Sequence, residues 1–575
     1  MKRFLKTKLL GDFTWDPSSF EDYDFQAPAL FRATDEETQD LLKNTRAHEF
    51  VSKAEKTGKG FLSIQLEKDH VLGLFSDSLA FHLESLKNAS NETIVIDYGG
   101  MNMAKQLHVG HIRSLFIGDC LAKLYEAQGH TVVRQNHVGD IGAQFGFLLQ
   151  YIKEHNEDVV DNKQLTELYK KARVTYDTDE QFASRSQQTA FLLQRGDKDT
   201  VSLWQKLKDV SDQNMEEFFS LFDVSLNNSH TKGESFYLPL CEDILNDLID
   251  KGLACKDPDQ SVVAFKDSTS PLVLKKSSGA YLYSLIDVAA IWHREKEYHP
   301  QKMVYVVDKR QKLHFEQVFS LAKQANYTNA SLIHEGFGTI LGKDKKPLKT
   351  RSGDSLYLDE LIEEGFASYR QSAQGQKNAC EEGAEAIASY TVLGALKYYD
   401  LHLRPSDNYV FDWEYVLSTT GQSAPYLQNT IVRIDSLSQK LDNSFYPFIN
   451  TPHTNHQDFL QDLSKVDWES LSLPDSGKDL VTTLAQSVED IVYSEGGHHI
   501  VSTLLNLAKH THKFYETTRV VGSMQEQDMM TVLTYVGKTQ VYGMHLLGVK
   551  AFPSLSNRQY MEELEQKPKH KMRSQ

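Results

Sequence analysis

A chain of 575 residues exceeds what one hydrophobic core organises, since domains usually hold about 100–200 residues, so three or four units are expected. Hydrophobic content of 40% and charged content of 25% are ordinary for a globular protein, and no apolar run nears the roughly 18 residues of a membrane helix, so a soluble chain without membrane partners is expected. The net charge of −17 counts against a general polyanion binder, although a large acidic chain can still carry a local basic stripe.

Lys2, Arg3, Lys6 and Lys8 open the chain, but Gly11 and Asp12 interrupt any apolar export core, and a cytoplasmic location is expected. Four cysteines lie far apart, with no Cys-x-x-Cys pair, which fits structural thiols in a reducing compartment and argues against a zinc module. Residues 1–88 combine a charged helical stretch at 36–53 with an alternating strand at 60–66, a small α+β unit. At 93–97 a β-branched run reads as a buried parallel strand. A glycine loop follows, then a helix over 112–127 with one apolar stripe through Ile112, Phe116, Ile117, Cys120, Leu121 and Leu124. Gly129 ends it, and 131–134 reads as the next strand, completing the repeating unit of a doubly wound, Rossmann-like α/β sheet. Residues 147–222 are helical and charged, an insertion running to about 232. Sheet-like runs return at 262–265 and 303–307, the second leading into a helix through Phe315, Val318, Phe319 and Ala322, where the nucleotide fold closes. Beyond 405 the segments 426–441, 480–492 and 499–515 are helical, a separate all-α domain spanning 406–575.

The chemistry concentrates in the turn between the 93–97 strand and its helix, where His108-Val109-Gly110-His111 stands. Open backbone N–H groups and the helix dipole at such a turn favour a triphosphate, and two imidazoles there can donate to phosphate oxygens. Gly110 lets a nucleotide approach the backbone closely.

Residues 104–114, AKQLHVGHIRS, resemble the ATP-binding signature of class I aminoacyl-tRNA synthetases in its arginyl form. GHTVVRQNHVGD at 129–140, with Gln144-Phe145-Gly146, is similar to the second signature of that family, and KTRSGD at 349–354 resembles its mobile loop. The resemblance implies that His108, His111, Lys105 and Lys349 stabilise phosphate charge, Lys105 replacing the second lysine that this loop lacks. ATP would be held by His108, Gly110, His111, Lys349, Arg351 and Ser352, with Mg²⁺ on its phosphates and no tightly bound protein metal. A guanidinium is a planar fork of donors that gains most from carboxylates and phenolic oxygen. Glu234, Tyr283 and Asp287 resemble the residues that hold the arginine side chain, and Asn102 and Gln311 those that hold its α-amino end. Such a site rejects lysine by hydrogen bonding alone, and no editing domain is expected.

The resemblance further implies residues 89–405 as the catalytic domain, the unit at 1–88 meeting the tRNA elbow through Phe61, and the all-α domain as the anticodon binder; since single-stranded RNA is read by stacking, a helical surface with Tyr426, Arg433, Tyr515 and Tyr542 is expected to stack splayed anticodon bases. The expected partners are L-arginine, ATP and tRNA-Arg, and the expected assembly is a monomer. Gly100-Met101-Asn102 stands where the family has Ser-Pro-Asn, which implies a more permissive loop. The alternative is a repurposed relative that binds tRNA without catalysis or serves another acceptor.

Overall fold

The computed structural model describes residues 3–5, 16–17, 24–28, 33–58, 60–101, 103, 107–159, 161–348, 356–379, 383–441 and 452–551. Its centre is a four-stranded, wholly parallel sheet in the order Ser331–Phe337, Lys302–Asp308, Thr93–Asp97, Thr131–Gln135. Ile94, Val95 and Ile96 are buried, as are Met303 to Val306, which is why the two central strands read as continuous apolar runs. From Thr93–Asp97 the chain crosses through the helix Gly110–Ala127 to a neighbour on one side, and much later enters Lys302–Asp308 on the other. The connections therefore diverge between these central strands, the place where open α/β sheets bind ligands beyond their carboxyl ends.

Four expectations need correction. Val262–Ala264 does not join the nucleotide sheet but pairs antiparallel with Ala254–Lys256 and Leu272–Lys275 in a separate sheet. The edge strand Ser331–Phe337 was not anticipated, because His334 and Glu335 break its apolar pattern. The helix Gly110–Ala127 is buried nearly all round, fourteen of its eighteen residues, rather than along one stripe. It lies between the sheet and the helices Ala384–Leu401, Gly497–Thr517 and Glu526–Leu546, so both faces are covered. Lastly, the helix expected through residue 53 ends at Arg46, and Val51–Thr57 is a strand. That helix starts in a capping box, Thr34 with Glu37, and the strand joins a four-stranded antiparallel sheet with Asp16–Pro17, Phe25–Ala27 and Phe61–Leu66.

The insertion consists of helices Ala143–His155, Asn162–Thr178, Glu180–Gln194 and Lys198–Phe222. Helices Ala424–Lys440, Asp475–Val492, Gly497–Thr517 and Glu526–Leu546 pack together at the other end of the chain. Among the described residues no helix is long and apolar enough to cross a membrane.

Two buried ion pairs tie these layers together, the second of them to the sheet. Arg113, in the signature helix, donates through Nε to Asp400 at 2.8 Å and through Nη1 to the Asp407 carbonyl, while the Tyr409 hydroxyl donates to the same Asp400 oxygen. Arg294 is fully buried and donates to Asp97 at 2.7 Å, and the second oxygen of Asp97 accepts the His137 N–H. Removing one partner of such a pair leaves a buried charge without compensation. Arg294→Ala is expected to lower unfolding free energy by about 3–5 kcal/mol, read from the urea unfolding of the full-length chain.

Candidate active site

The signature turn closes on itself through its imidazoles. The His108 N–H donates to His111 Nδ1 and the Gly110 N–H to His108 Nδ1, each at 3.1 Å, and the rings lie 3.8 Å apart. The Val109 N–H goes to the Leu356 carbonyl and that of His111 to the His108 carbonyl. The expectation of open backbone N–H groups therefore fails: all four have partners within the protein. Because each Nδ1 accepts, the proton of each neutral ring sits on Nε2, the nitrogen that can donate to a phosphate. Gly110 also acquires a different reason, since a Cβ there would stand 2.9 Å from the His108 ring.

Residues 99–101, at the start of the segment before this turn, are anchored. Gly99 and Gly100 have φ of 94° and 53°, their N–H groups donate to Ser114 Oγ and Asn136 Oδ1, and Met101 is fully buried. Ser114 in turn donates to the Val306 carbonyl, tying turn and central strand together. Asn102, Lys105, Lys349, Arg351 and Ser352 lie outside the described residues. The segment after the 349–355 stretch is clipped to the signature: Leu358 N–H donates to the Leu107 carbonyl, and Tyr357 bridges to His108. Lys170, from the insertion, sits 5.0 Å above the Tyr357 ring.

Elsewhere in the same domain three carboxylates come near one another. The loop after Thr131–Gln135 delivers Asp140, fully buried, whose carboxylate accepts the Ser235 N–H at 2.8 Å and its hydroxyl at 2.6 Å. This pins the start of the helix Glu234–Asp250, and Gly233 is required because a Cβ would lie 2.1 Å from Asp140 Oδ2. Glu234 occupies the first helical position, and Asp287 comes from the helix Tyr283–Tyr298. Burial, then the nearby charges of Asp287 and Asp140, push the Glu234 carboxyl up to about 8. Asp287 accepts from His314 Nε2 at 2.7 Å, and His137 Nε2 stands 3.7 Å from its other oxygen. Tyr283 is exposed, its ring 4.7 Å from that of His314, and Gln311 is exposed in the turn before the helix Lys312–Gln324. The structure thus brings Glu234, Asp287 and Tyr283 into one neighbourhood, with His137, Asp140 and His314 as members that sequence reasoning missed. His137 and Asp140 stood inside the second signature without a role, and nothing in the spacing marked His314.

On the far helices, Tyr426 and Arg433 meet His512, which was not anticipated. Arg433 Nη1 donates to His512 Nδ1 at 2.8 Å, Thr430 Oγ1 lies 2.9 Å from Nε2, and the Tyr426 ring is 5.0 Å away. Tyr515 is half-buried one turn along the His512 helix. Tyr542 cannot offer a face to a base: it is 1% exposed, its hydroxyl bonded to His456 Nδ1 and its ring stacked on Phe459. Phe61 is half-buried in the N-terminal sheet. Cys120 and Cys241 are buried, which pushes both thiols up to about 12 and leaves them inert; Cys380 lies outside the described residues.

Two family profiles match the chain: "tRNA synthetases class I (R), catalytic domain" over residues 76–413 and "DALR anticodon binding domain" over 427–555. Relatives include an arginine–tRNA ligase of Pseudoalteromonas atlantica, 33% identical over 92% of this chain and 93% of its own. One of Cellvibrio japonicus is 37% identical over 68% of this chain and 69% of its own. Among solved structures, the arginyl-tRNA synthetase of Plasmodium falciparum superposes with a TM-score of 0.77 at 23% identity, covering 96% of this chain and 98% of that one. That of Thermus thermophilus gives 0.71 at 18% identity with the same coverage.

Because the ionised form of Glu234 is disfavoured by burial and by two like charges, its carboxyl is expected to titrate near pH 8 in the empty protein. Carboxyl ¹³C NMR checks this: the step is present in the wild type and missing in Glu234→Gln.

Proposed function

The chain belongs to the arginine–tRNA ligase family of class I tRNA synthetases, and we propose that it activates L-arginine with ATP at the sheet's carboxyl edge and transfers it to tRNA-Arg. The observation that carries the arginine assignment is the convergence of Glu234, Asp287 and Asp140, where burial and the two neighbouring charges push the Glu234 carboxyl up to about 8. A cation that supplies planar, forked donors removes that mutual repulsion, and a guanidinium has the required shape.

In this reading Glu234, Asp287 and the Tyr283 hydroxyl hold the guanidinium, while Asn102 and Gln311 hold the α-amino end. The arginine carboxylate attacks the α-phosphorus of ATP, and pyrophosphate leaves. His108 and His111 donate from Nε2 to phosphate oxygens as negative charge grows, since their Nδ1 atoms already accept backbone N–H groups. Gly110 keeps the His108 ring in place, and Lys105, Lys349, Arg351 and Ser352 close on the phosphates. Mg²⁺ carried in with ATP would supply positive charge against the phosphate oxygens, beside the donors from His108, His111, Lys105 and Lys349. A ribose hydroxyl of the terminal adenosine then attacks the adenylate carbonyl and AMP departs. The division of labour is 1–88 at the tRNA elbow through Phe61, 89–405 for chemistry with the insertion at about 147–232, and 406–575 at the anticodon, in a cytoplasmic monomer. Tyr426, Arg433 and Tyr515 contact anticodon bases, with His512 holding Arg433 in place. The non-catalytic alternative has no observation in its favour.

Arginine-dependent ATP–pyrophosphate exchange in the presence of tRNA is the direct test, and its absence overturns the reading. His111→Ala is expected to lower kcat roughly 10²–10³-fold, as when one donor to a developing charge is lost. Since Glu234 must lose its proton to bind a cation, the KM for arginine is expected to fall as pH rises from 6.5 toward 8. The fall is at most about tenfold per pH unit and levels off above that range. Arg433→Ala is expected to raise the KM for tRNA about 5–20-fold, by analogy with a lost charge-assisted contact, and to leave those for arginine and ATP unchanged.

A further inference from the structure

We infer that His314 is a positioning residue for arginine recognition, orienting the Asp287 carboxylate so that it can accept the guanidinium fork. The inference rests on the assignment of Asp287 to the arginine pocket. Tyr283 and Asp287 are four residues apart on one helix and so project from the same face. His314 comes from a different helix, Lys312–Gln324, in its first turn, with a side chain only 11% exposed. Its Nε2 donates to Asp287 Oδ2 at 2.7 Å while its ring lies 4.7 Å from that of Tyr283, so one imidazole touches both pocket side chains.

The consequence follows from carboxylate geometry. The terminal torsion of an aspartate is broad, so an unheld carboxylate rotates about it. A guanidinium recognises a carboxylate only when the two planes align. The His314 bond fixes that plane and occupies one lone pair of Oδ2, leaving the remaining acceptor sites of an ionised carboxylate for the ligand. On the other side, His137 Nε2 faces Oδ1 at 3.7 Å and its ring stacks on Tyr237, which limits rotation in that direction too. The carboxylate is thus bracketed by imidazoles from two segments, the second signature and the helix that follows Lys302–Asp308.

Three variants of the full-length enzyme separate this role from packing, using aminoacylation of tRNA with arginine and ATP varied in turn. His314→Phe keeps a ring against Tyr283 but has no N–H, and its KM for arginine is expected to rise roughly 10–100-fold, with kcat and the KM for ATP within about twofold of wild type. His314→Gln, whose amide reaches the Nε2 position, is expected to recover most of that loss. Asp287→Asn serves as the control and is expected to raise the KM for arginine at least as much. Should His314→Phe fail to fold, His314→Asn, whose shorter amide stops at the Nδ1 position, takes its place. A normal KM for arginine in His314→Phe while Asp287→Asn is impaired overturns the role of His314 alone. Equal losses in the Phe and Gln variants assign His314 to packing and overturn it as well. A normal KM in Asp287→Asn overturns the pocket assignment and this inference with it.

Discussion

Three carboxylates held in one poorly solvated place repel one another, and the surrounding structure is arranged to keep them there. Asp140 is fixed by two donors from Ser235, and Gly233 exists so that its carboxylate can lie against the chain. The Asp97–Arg294 pair beneath the sheet's edge anchors the His137 backbone, from which the second signature runs to Asp140. Burial, then the charges of Asp287 and Asp140, push the Glu234 carboxyl up to about 8. Under the proposed function, discrimination rests on the same physics: a ligand with a single ammonium would leave acceptors unpaired that a forked guanidinium satisfies.

The signature turn obeys a different rule. It has used its backbone N–H groups internally, two of them on the imidazoles, so in the proposed function donation to a phosphate is assigned to Nε2 of His108 and His111. The tautomer of each ring is set by the fold rather than by the ligand. The clip between Leu107–Val109 and Leu356–Leu358 also makes this turn and the flank of the 349–355 stretch one hydrogen-bonded unit, so the histidines and the following helix share a frame.

What the chain disclosed in advance follows from which interactions are local. The strand at 93–97 and its helix were legible because apolar spacing is a local signal, and the pattern also located the strand at 303–307. Ser331–Phe337 was not legible, since His334 and Glu335 sit at a sheet edge where polar side chains are tolerated. Val262–Ala264 looked like part of the nucleotide sheet because a short apolar strand carries no mark of its partner. The stripe expected on Gly110–Ala127 became a fully buried helix because the helical domain covers its outer face, a tertiary fact. Glu234, Asp287 and Tyr283 were named through resemblance, whereas His314 and His512 came into view only when distant segments met. Tyr542 was misjudged because aromatic content says nothing about which face of a helix is buried.

The central claim is that the empty pocket holds a proton on Glu234 and that arginine displaces it. Calorimetric titration of arginine at pH 7, repeated in buffers of different ionisation enthalpy, measures that proton directly. The account predicts release of nearly one proton per arginine bound in the wild type and almost none in Glu234→Gln. Binding without proton release in the wild type would contradict it.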